Sequence, residues 1–322
     1  MNKKSIIASS HLDRHNHRIM PSALEQMRDI INGEKAVQLS FEHNTTMPPL
    51  GQIKNAETYI ADDGETMLIV EQSYFDESFI IQSEEGEDLY VERLKEGGRP
   101  FNSIEYEELG SIEVSVDITN LGNQPDSVEK FKNSIESEVD YDFDLSEFGR
   151  KSEIPDPQIL IKLTPEIVAY LLGLTFLFKF SEKLGEKFGE LSSNDISKFY
   201  KFVSVTARKT AAVVIPKLRP VTYVIQILGE INIELVIVTR NPDDVAKAIQ
   251  KDSLRSVSDK IKSLMKLADA QKIQFLFNEK GEWEFNYMLT GNGEVIGTPK
   301  AFDNRTKFIN STISSARLEN PE

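Results

Sequence analysis

The sequence predicts an α+β protein with a β-rich N-terminal domain and a C-terminal α+β domain carrying an apolar helix. Three observations carry this. Residues 51–75 read as two β-runs around an Asp62-Asp63-Gly64 turn. Residues 221–297 alternate between β-rich and amphipathic helical segments in the order ββααβββ. Between these regions, Ile167 to Phe178 contains no charged residue but Lys179 and Glu166 flank it. The expected organisation is a domain over 1–125, an acidic linker over 126–157, and a helical segment with an α+β domain over 158–322.

In chain order, Ser5 to Ser10 is a short apolar run with strand character. PSALEQMRDIINGE follows, with Ser22 and Glu25 at capping-box spacing. Ala23, Leu24, Met27, Ile30 and Ile31 mark one apolar face, and Gly33 is a stop. AVQLSF reads as a strand leading into His43, and Met47-Pro48-Pro49 as a rigid connector. GSIEVSVDIT alternates as a further strand. Residues 123–158 are acidic, weakly apolar and contain Pro155 and Pro157, the composition of a linker or extended arm.

Thr164 is a good N-cap with Pro165 at the first helical position. The charge-free run beginning at Ile167 is too short to span a bilayer, which takes roughly 20 residues. It is expected to be a buried helix. The alternative is an exposed helix used for a homo-oligomer or for membrane insertion through residues 167–178. A second helix carries Phe199, Tyr200, Phe202, Val203 and Val205 and ends before Pro216. VTYVIQIL and INIELVIVT are β-runs. Asn241-Pro242-Asp243-Asp244 opens a helix with cap, proline and first-turn acids. DSLRSVSDKIKSLMKLA is amphipathic, and QKIQFLF, EWEFNYML and EVIG are strands separated by NEKG and TGNG turns.

The composition narrows the chemistry. A net charge of −15 over 322 residues argues against nucleic-acid binding through a broad basic surface. Cysteine is absent, which excludes disulfides, a thiolate nucleophile and Cys-type zinc sites. The N-terminus has no hydrophobic region of secretory length, so a cytoplasmic location is expected. All four histidines fall early, at 11, 15, 17 and 43. His15 and His17 share a face only on a strand, and with His11 and Asp13 they could form a site. Nothing resembles HExxH, so a polar surface segment is the expectation and no metal is called. No GxxxxGK[ST] loop occurs, so no nucleotide cofactor is called either.

With no cysteine, a nucleophilic hydrolase would use Ser or Thr beside a base. His43, between a strand and a Pro-Pro loop, is the best-placed base. SSHLDRHNHRIMPSAL, LSFEHNTTMPPLGQI and AETYIADDGETMLIVEQ occur in that order, followed by FNSIEY and IEVSVDITNLGN. Over about residues 5–125 this order resembles the phage prohead (capsid-maturation) serine proteases, which are related to herpesvirus assemblins. The resemblance implies that fold for the N-terminal domain, with His43 as base, Ser103 as nucleophile and Glu113 as orienting acid. Ser103 is followed by Ile104-Glu105 where the family has Ile-Gly, which changes the backbone donors of an oxyanion hole. Ser73, Ser78, Ser83, Ser111 and Ser115 compete with Ser103 for the role. Two functions therefore stand as expectations. One is a serine endopeptidase acting on phage capsid or other assembly proteins. The other is a catalytically inactive protease-fold sensor or adaptor that binds partner proteins, for instance in anti-phage defence.

Overall fold

The computed structural model describes residues 2–12, 18–42, 44–102, 111–122, 124, 126–149, 156–174 and 192–319. In chain order the first elements are β1 (Asn2–Ser9), α1 (Pro21–Asn32), β2 (Val37–Leu39), β3 (Gly51–Ile60), β4 (Thr66–Tyr74), β5 (Glu77–Gln82) and β6 (Asp88–Arg93). Then come β7 (Ile112–Asp117), α2 (Ser127–Glu136), β8 (Phe143–Phe148), β9 (Gln158–Lys162), α3 (Pro165–Leu172) and α4 (Ser193–Val213). The last are β10 (Val221–Ile227), β11 (Asn232–Thr239), α5 (Pro242–Ala248), α6 (Lys251–Leu267), β12 (Ala270–Phe277), β13 (Trp283–Thr290), β14 (Val295–Gly297) and α7 (Pro299–Glu319). The α+β class is as expected. Among the described residues no helix is long and apolar enough to cross a membrane.

Contacts divide the chain into two units. Unit 1 holds Met1–Ser103, Leu267–Gln271 and Tyr287–Glu322, and unit 2 holds Ile104–Lys266 and Lys272–Asn286. The boundary expected near residue 125 thus falls before β7, and the C-terminal segment returns to unit 1.

In unit 1, β1, β4, β3 and β2 form an antiparallel sheet in that order. The 51–74 hairpin forms as expected, with Gly64 at φ 85° in its turn. α1 lays Leu24 and Ile31 on Ala56, Leu68 and Val70. The anticipated Ser22 and Glu25 capping box is replaced: Met20 is the N-cap and Pro21 takes the first helical position. Proline has its φ already set for that position and lacks the N–H that would otherwise go unpaired. Met27 and Ile30, expected on the apolar face, are exposed. A second ladder runs β5, β6, β14 and the end of β13. Its core joins Ala36, Phe101, Tyr287, Leu289, Val295 and Phe302. Arg305 on α7, buried, donates to the Pro49 carbonyl and the Glu92 carboxylate, each at 2.7 Å.

In unit 2 the strand order is β12, β11, β10, β9, β7, β8, with the start of β13 beside β12. The pairing is mixed: β9 with β10, β11 with β12, and β7 with β8 are parallel. One face is apolar, with Ile159, Ile161, Tyr223, Ile225, Ile233, Leu235, Ile273 and Phe275 all buried. Helices cover this face. Tyr223 donates its hydroxyl to Ala207 of α4, and the Trp283 indole donates to Ala248 of α5.

Residues 126–157, expected as an acidic linker, instead carry α2 and β8. Phe131, Ile135 and Phe143 are buried, and the Tyr141 and Phe143 rings each lie 5.0 Å from Phe202. Two of the acids that suggested a linker face basic residues of α4. Glu138 binds Arg208 and Lys209, and Asp140 binds Lys198 at 3.0 Å. Hydrogen bonds from Lys209 and Arg208 hold the Glu138 carboxyl down at about 2.

The apolar helix is shorter than its charge-free run. α3 closes at Gly173, which sits at φ 65° and returns its N–H to Ala169. Ile167, Val168, Leu171 and Leu172 are buried, while Tyr170 is partly exposed under the Lys251 ammonium. Phe176 and Phe178 lie outside the described residues. α7 was not anticipated, although Pro299 marks its start in the sequence.

Candidate functional site

Of the three expected catalytic residues, only Glu113 is described. His43 and Ser103 lie outside the described residues, as do Asp13, His15 and His17 of the histidine cluster. His11 in unit 1 binds Asp63 at 2.8 Å, at the surface. Among the described residues no group of side chains could hold a metal ion. Of the competing serines, Ser73 is buried in β4 and Ser78 is exposed on β5. Ser83 accepts from the Glu87 N–H in a turn, and Ser111 donates to Asp144.

Glu113 is on β7, where alternation turns it to the face opposite the helices. Register places Lys162 of β9 directly across from it, and Ser115 across from Ser146 of β8. Lys162 Nζ reaches Glu113 Oε2 at 2.9 Å. Ser146 and Ser115 Oγ lie 2.9 and 3.1 Å from Glu113 Oε1, and 2.7 Å from each other. Burial is the largest influence on this carboxyl and opposes its ionisation. The hydrogen bonds from Lys162, Ser146 and Ser115 together outweigh it and hold Glu113 below the usual glutamate range. A carboxylate has about four acceptor positions, so Glu113 already uses most of its capacity inside unit 2.

The same face continues as a row of polar side chains across the sheet. Lys162 is in register with Gln226 on β10, Gln226 with Glu234 on β11, and Glu234 with Gln274 on β12. Gln274 Nε2 donates to Glu234 at 2.7 Å, and Asn286 of β13 donates to Gln274 Oε1 at 2.7 Å. Lys272 pairs with Glu234 at 3.2 Å. Two ion pairs, Glu113 with Lys162 and Glu234 with Lys272, lie along the row, and exposed Asp144 of β8 is in register with Glu113 at its end. Gln226, at its centre, is 6% exposed, and its Oε1 has no hydrogen-bond partner among the described residues. Buried carbonyl oxygens rarely go unpaired, so this acceptor needs an account.

Only Glu113 of this row figured in the sequence analysis. Its other members leave a visible signal: QILIK, YVIQI, NIELV, KIQF and EFNYM are apolar strands interrupted by polar residues on the same parity. Alternation shows which residues share a face within one strand, but cross-strand register is needed to align them into one row.

The chain is thus an α+β protein whose unit 2 covers one sheet face with helices and carries on the other a row of polar side chains, of which Gln226, Gln274 and Asn286 are buried. Comparison with family models, with curated proteins and with solved structures finds no match.

Proposed function

We propose that this chain is a non-catalytic binding module, and that the polar row of unit 2 receives an extended segment of a partner protein. The observation that carries this reading is the state of Glu113. The acid that would orient a catalytic imidazole is already engaged by Lys162, Ser115 and Ser146. The unmet Gln226 acceptor, two strands away beyond Lys162, suits an N–H or O–H donor from a ligand. A peptide backbone supplies such donors. The resemblance of residues 5–125 to prohead proteases supports phage capsid or assembly proteins as the partner class.

A serine-reactive fluorophosphonate on the intact chain separates the module from an endopeptidase. No covalent adduct is expected. An adduct on Ser103 that disappears in His43→Ala would overturn the module in favour of the serine endopeptidase. Binding itself is tested by selecting displayed peptides on the full chain and repeating the measurement with Gln226→Leu. One neutral hydrogen bond contributes about 0.5–1.5 kcal/mol, so affinity is expected to fall about two- to tenfold. Stability should hold or rise, because the substitution removes an unpaired buried acceptor. Unchanged peptide affinity would remove the row from the site.

A further inference from the structure

The described sheets end in four edge strands: β1 and β2 in one sheet of unit 1, β5 in the other ladder of unit 1, and β8 in unit 2. An edge strand offers unpaired backbone groups to other chains, and proteins blunt it with charge, brevity or bulges. β1 carries Lys4 and a bulge between Ile6 and Ala8. β2 has only three residues. β8 carries exposed Asp144 and Glu147. β5, with sequence ESFIIQ, has none of these defences. Its single charge, Glu77, is neutralised by Arg93, whose guanidinium also packs on the Phe79 ring at 5.1 Å. Phe79 and Ile80 are exposed by 39% and 57%.

The pairing of β5 with β6 decides which of its backbone groups face outward. Ser83 N–H donates to the Glu87 carbonyl, which makes that pair hydrogen-bonded, and pairs alternate from there. Ile81 and Phe79 therefore bond inward to Leu89 and Val91, while Ser78, Ile80 and Gln82 direct their N–H and C=O to the free edge. We propose that two copies of this chain join through an antiparallel β5–β5 ladder whose two-fold axis passes through Ile80. In that register Ile80 meets Ile80 of the second copy, and Ser78 meets Gln82 in both directions. All six outward backbone groups of each strand are then satisfied. Phe79 faces Ile81, so apolar residues pair with apolar residues on both faces, and within the six residues of β5 no like charges oppose each other. The two-fold contact is self-complementary and closes at two subunits. The three blunted edges offer no comparable second site, which is why a dimer and not a fibre is the product.

The absence of cysteine makes a direct test available. Hydrogen-bonded antiparallel neighbours sit about 5.5 Å apart at Cα, within the range a disulfide spans. Ile80→Cys should oxidise to a covalent dimer, whereas Leu218→Cys, at a position 98% exposed in unit 2, should remain monomeric. Light scattering of the unaltered full chain should give twice 36.5 kDa. Ile80→Lys, which sets two ammonium groups against each other on the axis, should give a single chain with unchanged circular dichroism. A single-chain mass for the unaltered protein overturns the proposal. So does a folded Ile80→Lys that stays dimeric, or cross-linking of Leu218→Cys as fast as Ile80→Cys. Should Ile80→Lys misfold, the rate contrast between the two cysteine variants decides alone.

Discussion

Replacing Lys162 by Met keeps the aliphatic stem and removes the ammonium that holds Glu113. Both side chains are 22% exposed, so the pair is largely, not fully, withdrawn from water. A hydrogen bond between charged groups contributes about 1.5–3 kcal/mol, and partial solvation brings the expected loss nearer about 1–2 kcal/mol. The effect has a pH signature. In the unaltered protein the Glu113 carboxyl is held below its ordinary 4.5. A depressed carboxyl contributes stability above its unfolded pKa and loses it as pH falls through the folded value. Without Lys162, burial is opposed only by Ser115 and Ser146, and the carboxyl moves upward. The variant's deficit is therefore largest near neutral pH and shrinks in acid, where Glu113 is protonated in both proteins. Trp283, the sole tryptophan, is buried in unit 2 and reports urea unfolding of the unit that contains the pair. A deficit under about 0.5 kcal/mol at about pH 7, or one that is the same at about pH 3.5, would refute this account of the cluster.

Three further outcomes follow from the packing. Leu172→Glu places a carboxylate where the side chain is 6% exposed, and should destabilise unit 2 by about 3 kcal/mol or more. A soluble, folded variant of lower mass would show instead that α3 lies at an interface. Gly293→Ala should lower the melting temperature clearly, since the residue has φ 76° and a Cβ there would lie 2.3 Å from the Arg99 carbonyl oxygen. Gly64→Ala has positive φ but open space around it, so it should cost only about 1 kcal/mol, and equal melting temperatures for the two would contradict the close approach. Trp283→Phe removes the indole donor to Ala248 and should cost about 1 kcal/mol in denaturant unfolding, with no loss expected only if water replaces that bond.

Local chemistry in the sequence determined much of the element list. The Asp63-Gly64 turn between two β-runs, the Asn241-Pro242 start of α5 and the Thr164-Pro165 start of α3 are all present, because each depends on backbone preferences within a few residues. The α+β class followed from those elements, and so did the order ββααβββ through β14. Composition misled where long-range partners reverse its meaning. The acids between 126 and 149 suggested an exposed arm, yet Glu138 and Asp140 pair with α4 while Phe131 and Ile135 face inward. Residues far apart in the chain supply those partners, and no local window contains them. The same holds for Glu113. The resemblance implies an orienting role for it, and among the described residues it meets Lys162 and Ser146, 49 and 33 residues away. Strand register brings them together, and register is set by burial of the opposite face, which only the folded sheet defines. Division of the chain was likewise a tertiary outcome: β13 belongs half to each unit, a result that follows from which strands pair and not from any linker in the sequence.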